Sequence, residues 1–148
     1  MQQLLAGKHV LVTGGTAGIG KEIATLFAKQ GAHVAIFGTS VEKGEKVREE
    51  LASIGTQNGQ MVRFFPVNVG KTQEVEKAIE QLISEFGKID VLVNNAGITR
   101  DGLLMRMSEE DWDKVIEVNL KSVYNTCRVI CRPMMKARFG SIINITSV

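Results

Sequence analysis

Cysteine, proline and tyrosine are scarce in this 148-residue chain, with two, two and one of each. The two cysteines, Cys127 and Cys131, stand four apart on one helical face. That placement disfavours a disulfide, and no second ligand pair suggests zinc. They read as small apolar side chains. His9 and His33 each sit inside an apolar strand pattern without a metal-ligand partner, so both read as structural and no metal site is expected. Charge of one sign is also lacking. The net charge is only +2, and no basic cluster interleaved with aromatics marks a nucleic-acid surface. No apolar run approaches a membrane span. The stretch Met1–Lys8 holds only Leu4, Leu5 and Ala6 as an apolar run, too short for a signal peptide, so a cytoplasmic location is expected.

What is present is a normal apolar fraction, 44%, in a chain of single-domain length. Residues 1–148 are read as one domain able to bury a core. Short apolar runs alternate with helical periodicity. Strands are expected at Val10–Thr13, His33–Gly38, Met61–Val69, Ile89–Val93 and Ser141–Thr146. Helices are expected at Gly18–Gln30 with Gly31 as its closing glycine, at Val41–Ile54 stopped by Gly55, and at Thr72–Phe86 closed by Gly87. Ser108-Glu109-Glu110-Asp111 is a capping-box pattern opening a long helix to about Ala137. Its expected apolar face includes Trp112, Val115, Ile116, Leu120, Val123 and Cys127, and Pro133 should bend it or end it early. Alternating strands and helices imply a doubly wound α/β fold of the Rossmann type, a parallel sheet wrapped on both faces. Pro66 inside the third strand suits a sheet edge, and the order 3-2-1-4-5 puts that strand at one.

The turn Thr13-Gly14-Gly15-Thr16-Ala17-Gly18-Ile19-Gly20 joins the first strand to the first helix. Its glycines let the backbone approach a pyrophosphate, and the helix N-terminus offers N–H groups and a favourable dipole. The spacing is G-x-x-x-G-x-G. A strand before it and a helix after it supply the context of a dinucleotide site. The second strand ends in Phe37-Gly38-Thr39-Ser40, with no acid to hold a ribose diol, which favours NADP over NAD.

The turn, Asn94-Asn95-Ala96-Gly97 after the fourth strand, and Asn119 in the long helix together resemble the short-chain dehydrogenase/reductase family. The segment Ile98–Met107 is similar to that of the bacterial 3-oxoacyl-[acyl-carrier-protein] reductases of fatty acid synthesis, with acetoacetyl-CoA reductases close behind. The resemblance runs along the whole chain and implies an NADP(H)-dependent oxidoreductase, homotetrameric when full length. It implies that Gly14, Gly15, Thr16, Ala17, Gly18, Ile19 and Gly20 seat the pyrophosphate and ribose. Thr39 would meet the 2′-phosphate, and Asn68 and Val69 the adenine. Asn95, with Ala96 and Gly97, would lie at the nicotinamide-side ribose. Asn119 corresponds to the family's catalytic asparagine, which holds a water in the proton relay. Ser147 corresponds to the serine that hydrogen-bonds the substrate carbonyl. Arg138, with Lys136 nearby, corresponds to a basic patch that docks the acidic acyl carrier protein.

Two features depart from the family pattern. Ala17 stands where many NADP-using members have arginine, and Lys43 is a candidate to replace that charge. The family's Tyr-x-x-x-Lys pair follows the serine, but no such pair occurs here. Tyr124 is followed at the fourth place by Arg128, and it falls within the expected core stripe of the helix. The chain therefore reads as the first part of a longer reductase, or else as a non-catalytic dinucleotide-binding fragment. As an isolated piece it would carry an unpaired edge at its fifth strand, leave one sheet face uncovered, and be poorly soluble.

Overall fold

Each of the five apolar runs becomes a strand in the computed structural model, which describes residues 3–55 and 59–147. They are β1 (His9–Thr13), β2 (His33–Gly38), β3 (Val62–Pro66), β4 (Val91–Asn94) and β5 (Ser141–Asn144). All pair in parallel in the order β3-β2-β1-β4-β5. The expected order holds. Pro66 is the last residue of the edge strand β3, level with Gly38, and the next amide, Val67 N–H, donates to the Gly38 carbonyl.

Helices α1 (Gly18–Lys29), α2 (Val41–Gly55), α3 (Thr72–Phe86), α4 (Glu109–Ile116) and α5 (Ser122–Ala137) connect the strands. Two apolar cores form, one on each side of the sheet. On one side Ala24, Ala28, Val47 and Leu51 of α1 and α2 cover Val10, Val12, Val34 and Ile36. On the other, Val75, Ile79 and Leu82 of α3 with Ile130 and Met134 of α5 cover Leu11, Ala35, Phe37 and Leu92. Alternate residues of one strand thus feed opposite cores, as pleating requires. Gly31 and Gly87 both have positive φ, +90° and +80°, just beyond the ends of α1 and α3. Ser108 caps α4 as expected, its Oγ accepting from Asp111 N–H at 3.1 Å.

The long helix differs from its sequence expectation in three ways. It is continuous from Glu109 to Ala137, but a π-helical segment, Glu117–Lys121, separates α4 from α5. Pro133 does not end it early. Ile130 and Met134, on either side of the proline, are buried in the core, and that packing holds the helix where one backbone bond is lost. Its apolar stripe is not the buried face: Trp112, Ile116, Leu120 and Tyr124 are exposed. The buried face of α5 is Ser122, Asn125, Thr126, Ile130 and Met134. β5 pairs only with β4 among the described residues, and all four of its residues are exposed, including Ile142 and Ile143.

A polar cluster closes the end of the sheet where the strands begin. The rings of His9 and His33 stack, with centroids 4.4 Å apart. His9 N–H donates to Asp90 Oδ2 at 2.9 Å, and Asp90 N–H returns a bond to the His9 carbonyl at 2.7 Å. Burial, then the electrostatic effect of the neighbouring His33, holds the His9 imidazole below its ordinary value, against the opposing pull of Asp90. Burial alone would raise the Asp90 carboxyl, but the His9 amide and Lys88 outweigh it and hold it low. Both groups therefore bind protons less readily folded than unfolded. His9 stabilises the fold fully only above the ordinary imidazole value, about pH 6.5. That contribution is lost as pH falls toward its lowered folded value. The Asp90 contribution is lost below about pH 4, as pH falls through its own depressed value. The melting temperature is expected to fall between about pH 7 and 5, and His9→Phe should abolish that first step. A flat profile over this range in the unsubstituted protein would contradict burial of the imidazole.

Candidate functional site

At the other end of the sheet the strands run out into loops, as they must in an open parallel sheet, and a crevice opens at the switch between β1 and β4. The turn after β1 is shaped by three close approaches. Gly14 has φ +63°, and a Cβ there would meet Ala96 Cα at 2.9 Å. A Cβ on Gly15 would meet Ile36 Cγ2 at 2.6 Å, and one on Gly20 would meet the Gly14 carbonyl oxygen at 2.2 Å. Gly18, φ +52°, faces open space. Helix α1 begins here with no side-chain cap and no acid in its first turn. Its first amides have no intrahelical acceptor, so the turn presents uncapped N–H groups and the positive end of a helix dipole. That donor set suits an anion.

Thr13 ties this turn to the loop after β4. It is 2% exposed. Its Oγ1 accepts from Asn95 N–H at 3.0 Å and Ala96 N–H at 3.1 Å. Asn95 answers from the other side, its Nδ2 donating to the carbonyls of Thr13 and Gly14, both at 3.2 Å. Asn95 therefore braces the turn from behind rather than lining the crevice.

The crevice itself is a cleft of about 290 Å³. Of the residues expected there, Gly14, Thr16, Thr39, Asn68, Val69, Ala96 and Gly97 line it. Gly15, Ala17, Gly18, Ile19, Gly20 and Asn95 lie beside or behind it. The loop carrying Asn68 and Val69 is pinned at three points. Asn68 Oδ1 accepts from Gly70 N–H at 3.0 Å, and Glu74 accepts from Asn68 N–H at 2.8 Å. The buried Asn125 of α5 donates to the Val69 carbonyl at 2.9 Å.

Asn119 sits in the π segment. The residue is exposed. Both ends of its amide are bonded to one residue: Oδ1 accepts from Ile98 N–H at 2.8 Å and Nδ2 donates to the Ile98 carbonyl at 2.9 Å. The side chain is thus a two-point clamp on the loop after Gly97. π segments recur at functional sites. Ser147 follows β5 at this same end of the sheet, is exposed, and does not line the cleft.

Arg138 lies elsewhere. It caps α5 in the left-handed conformation, φ +53°, three residues before β5 begins, and so at the opposite end of the sheet. Lys136 and Lys88 line a hollow there with Phe139, whose ring Lys8 Nζ covers at 4.1 Å. Tyr124 is exposed rather than part of the core, and it does not reach the cleft either.

Two residues with no signal in the sequence, Arg100 and Lys114, are the charged residues lining the cleft among the described residues. Arg100 Nε lies 3.7 Å from Asp111, and Lys114 Nζ 2.9 Å from Glu117. Glu117 also faces Lys71 at 3.5 Å, and its carboxyl is held low, by the Lys114 bond first, against a weaker effect of burial. Nothing in their spacing, Arg100 in a loop and Lys114 in a helix, signalled that they converge. Among the described residues, no cluster of potential metal ligands occurs, and no helix is long and apolar enough to cross a membrane.

Over all 148 residues the chain is 51% identical to the 3-oxoacyl-[acyl-carrier-protein] reductase FabG of Chlamydia trachomatis, covering 58% of that protein. It is 46% identical over 144 residues, 97% of the chain, to nodulation protein G of Rhizobium sp. (strain N33), covering 56% of it. The chain thus spans little more than half the length of these relatives. The crystal structure of an NAD+-bound xylitol dehydrogenase superposes with a TM-score of 0.91 at 26% identity, over 97% of this chain and 54% of that one. The family model for short chain dehydrogenases matches residues 8–148, and the chain belongs to the short-chain dehydrogenase family.

Proposed function

We propose that the protein carrying this chain is an NADPH-dependent 3-oxoacyl-[acyl-carrier-protein] reductase. The observation that carries this reading is the 51% identity, over all 148 residues, to a reductase of that name. A nicotinamide dinucleotide suits the uncapped start of α1, the glycines where an added Cβ has no room, and a cleft whose lining includes Thr39, Asn68 and Gly97. In this reading Gly14, Gly15, Thr16, Ala17, Gly18, Ile19 and Gly20 seat the pyrophosphate. Thr39 faces the adenosine ribose and its 2′-phosphate. Asn68 and Val69 hold the adenine, Ala96 and Gly97 border the nicotinamide-side ribose, and Asn95 braces the turn behind it. Bound NADPH supplies hydride to the carbonyl carbon. Ser147 donates a hydrogen bond to the carbonyl oxygen, polarising it, and Asn119 holds the Ile98 loop in place while contributing to the proton relay. The tyrosine and lysine that complete the family's chemistry are not among these 148 residues. The same reading makes the protein a cytoplasmic homotetramer. The exposed Trp112, Ile116, Leu120 and Tyr124 would be covered by a second copy.

Arg138, remote from the cleft, stands between Ala137 and Phe139 of the hollow that Lys88 and Lys136 line, and is read as a docking contact for an acidic carrier protein. Steady-state assays of the full-length protein test both points. NADPH oxidation is expected with a 3-oxoacyl carrier-protein substrate, at higher kcat/KM than with the matching CoA thioester. Arg138→Glu should raise KM for the carrier-bound substrate about tenfold, as expected for loss of a charge contact of about 1.4 kcal/mol, and leave KM for the CoA thioester unchanged. A preference for the CoA thioester would overturn the carrier-protein assignment. Equal changes for both substrates would overturn the docking role.

A further inference from the structure

The cleft presents a charge asymmetry that the glycine turn does not account for. Among the described residues, its charged lining is two cations and no acid. The turn brings no cation of its own, because Ala17 stands at the position where an arginine would serve. The next cation in α1, Lys21, is committed to Glu50 at 2.6 Å. Lys43 is exposed at the start of α2 and does not line the cleft. The positive charge comes instead from the opposite wall, Arg100 in the loop after β4 and Lys114 in α4.

Both cations are leashed in a way that permits release. The Arg100–Asp111 contact, 3.7 Å, is longer than a direct hydrogen bond and largely exposed, so exchanging it for another anion costs little. Lys114 gives up a closer partner, Glu117, but Glu117 keeps Lys71 as a second cation. Removing Lys114 therefore leaves no unpaired carboxylate. Gly70 makes room for this arrangement: a Cβ there would meet Glu117 Cγ at 2.6 Å.

We propose that Arg100 and Lys114 form a charge-selective wall of the dinucleotide cleft, exchanging their carboxylate partners for cofactor phosphate and favouring NADPH, the more highly charged form, over NADH. The inference rests on the dinucleotide reading above. It supplies from α4 and the β4 loop the charge that Ala17 leaves missing.

The test is calorimetric titration of the full-length protein with NADPH and with NADH, so the readout is two dissociation constants rather than activity. The ratio of the two should favour NADPH in the unsubstituted protein and shrink with rising salt. In the Lys114→Met, Arg100→Gln double variant the ratio should fall about tenfold, the scale of one charge-assisted contact. Lys114→Arg in place of Lys114→Met should restore part of it. Lys43→Met should leave it unchanged. An unchanged ratio in the double variant overturns the inference while leaving the dinucleotide reading intact, as does a ratio that collapses in Lys43→Met instead. Failure of the unsubstituted protein to bind either dinucleotide overturns both.

Discussion

Gly20→Ala is expected to abolish useful dinucleotide binding and to destabilise the fold. The added methyl would lie 2.2 Å from the Gly14 carbonyl oxygen and 2.4 Å from Asn95 Nδ2. Neither neighbour can swing away. The first is backbone, and the second is held by two hydrogen bonds to the carbonyls of Thr13 and Gly14. The start of α1 must therefore move off the turn by about 1 Å to reach ordinary contact distance. Alanine is the better helix former by about 1 kcal/mol, which works the other way. A rigid clash costs about 1–3 kcal/mol and more where backbone is struck, so the clash should win by about 2 kcal/mol. For a domain of this size the melting temperature would drop by about 4–8 °C. The larger effect falls on binding. Displacing two uncapped amides from an anion forfeits two charge-assisted bonds, about 3 kcal/mol, or on the order of 100-fold in Kd. Gly18→Ala is the natural comparison. Its Cβ meets open space, so only the left-handed backbone is strained, at about 1–2 kcal/mol. Wild-type melting and wild-type NADPH affinity in Gly20→Ala would mean that the turn does not pack against Asn95 in solution.

Thr13→Val should be nearly as damaging, although it conserves shape. The hydroxyl oxygen is the acceptor for two amides, Asn95 N–H and Ala96 N–H. Valine fills the same space and leaves both donors without that partner in a position only 2% exposed. Each unsatisfied buried amide costs about 1–3 kcal/mol, so for two a loss of about 2–6 kcal/mol is expected. Thr13→Ser keeps the acceptor and removes one methyl, which should cost about 1 kcal/mol. Chemical denaturation of the two variants measures the difference directly. If Thr13→Val were no less stable than Thr13→Ser, the link between the glycine turn and the loop after β4 would be packing rather than hydrogen bonding.

Much of the fold was legible in the chain because it depends on local rules. Alternation of apolar runs with 3.6-residue periodicity marked all five strands and the helices. Pro66, lacking an N–H, marked the edge of the sheet. Gly31, Gly87 and Ser108 marked helix ends through backbone freedom and capping. Boundaries drifted by a few residues, as at β3, where the ladder stops at Pro66 rather than Val69. The long helix was less legible. Periodicity identifies an apolar stripe on a helix but not what covers it. Trp112, Ile116, Leu120 and Tyr124 proved exposed, while the small and polar Ser122, Asn125 and Thr126 face the sheet. The π segment at Glu117–Lys121 could not be foreseen, because no side-chain pattern distinguishes one extra residue in a turn. It rotates the residues after it relative to α4, which any straight-helix projection gets wrong.

The sequence by itself determined the alternation of strands and helices, the glycine turn before α1 and the family, since each follows from short segments read along the chain. Tertiary structure decided which groups meet. It brought Thr13 to Asn95 across about eighty residues, seated Asn119 on the Ile98 backbone, and sent Arg138 to the far end of the sheet. It also turned Arg100 and Lys114 toward one cleft. The physical reason is the same in each case. Backbone preference and capping act over a few residues, whereas a hydrogen bond or an ion pair across the sheet exists only after two separately folded segments have been packed together.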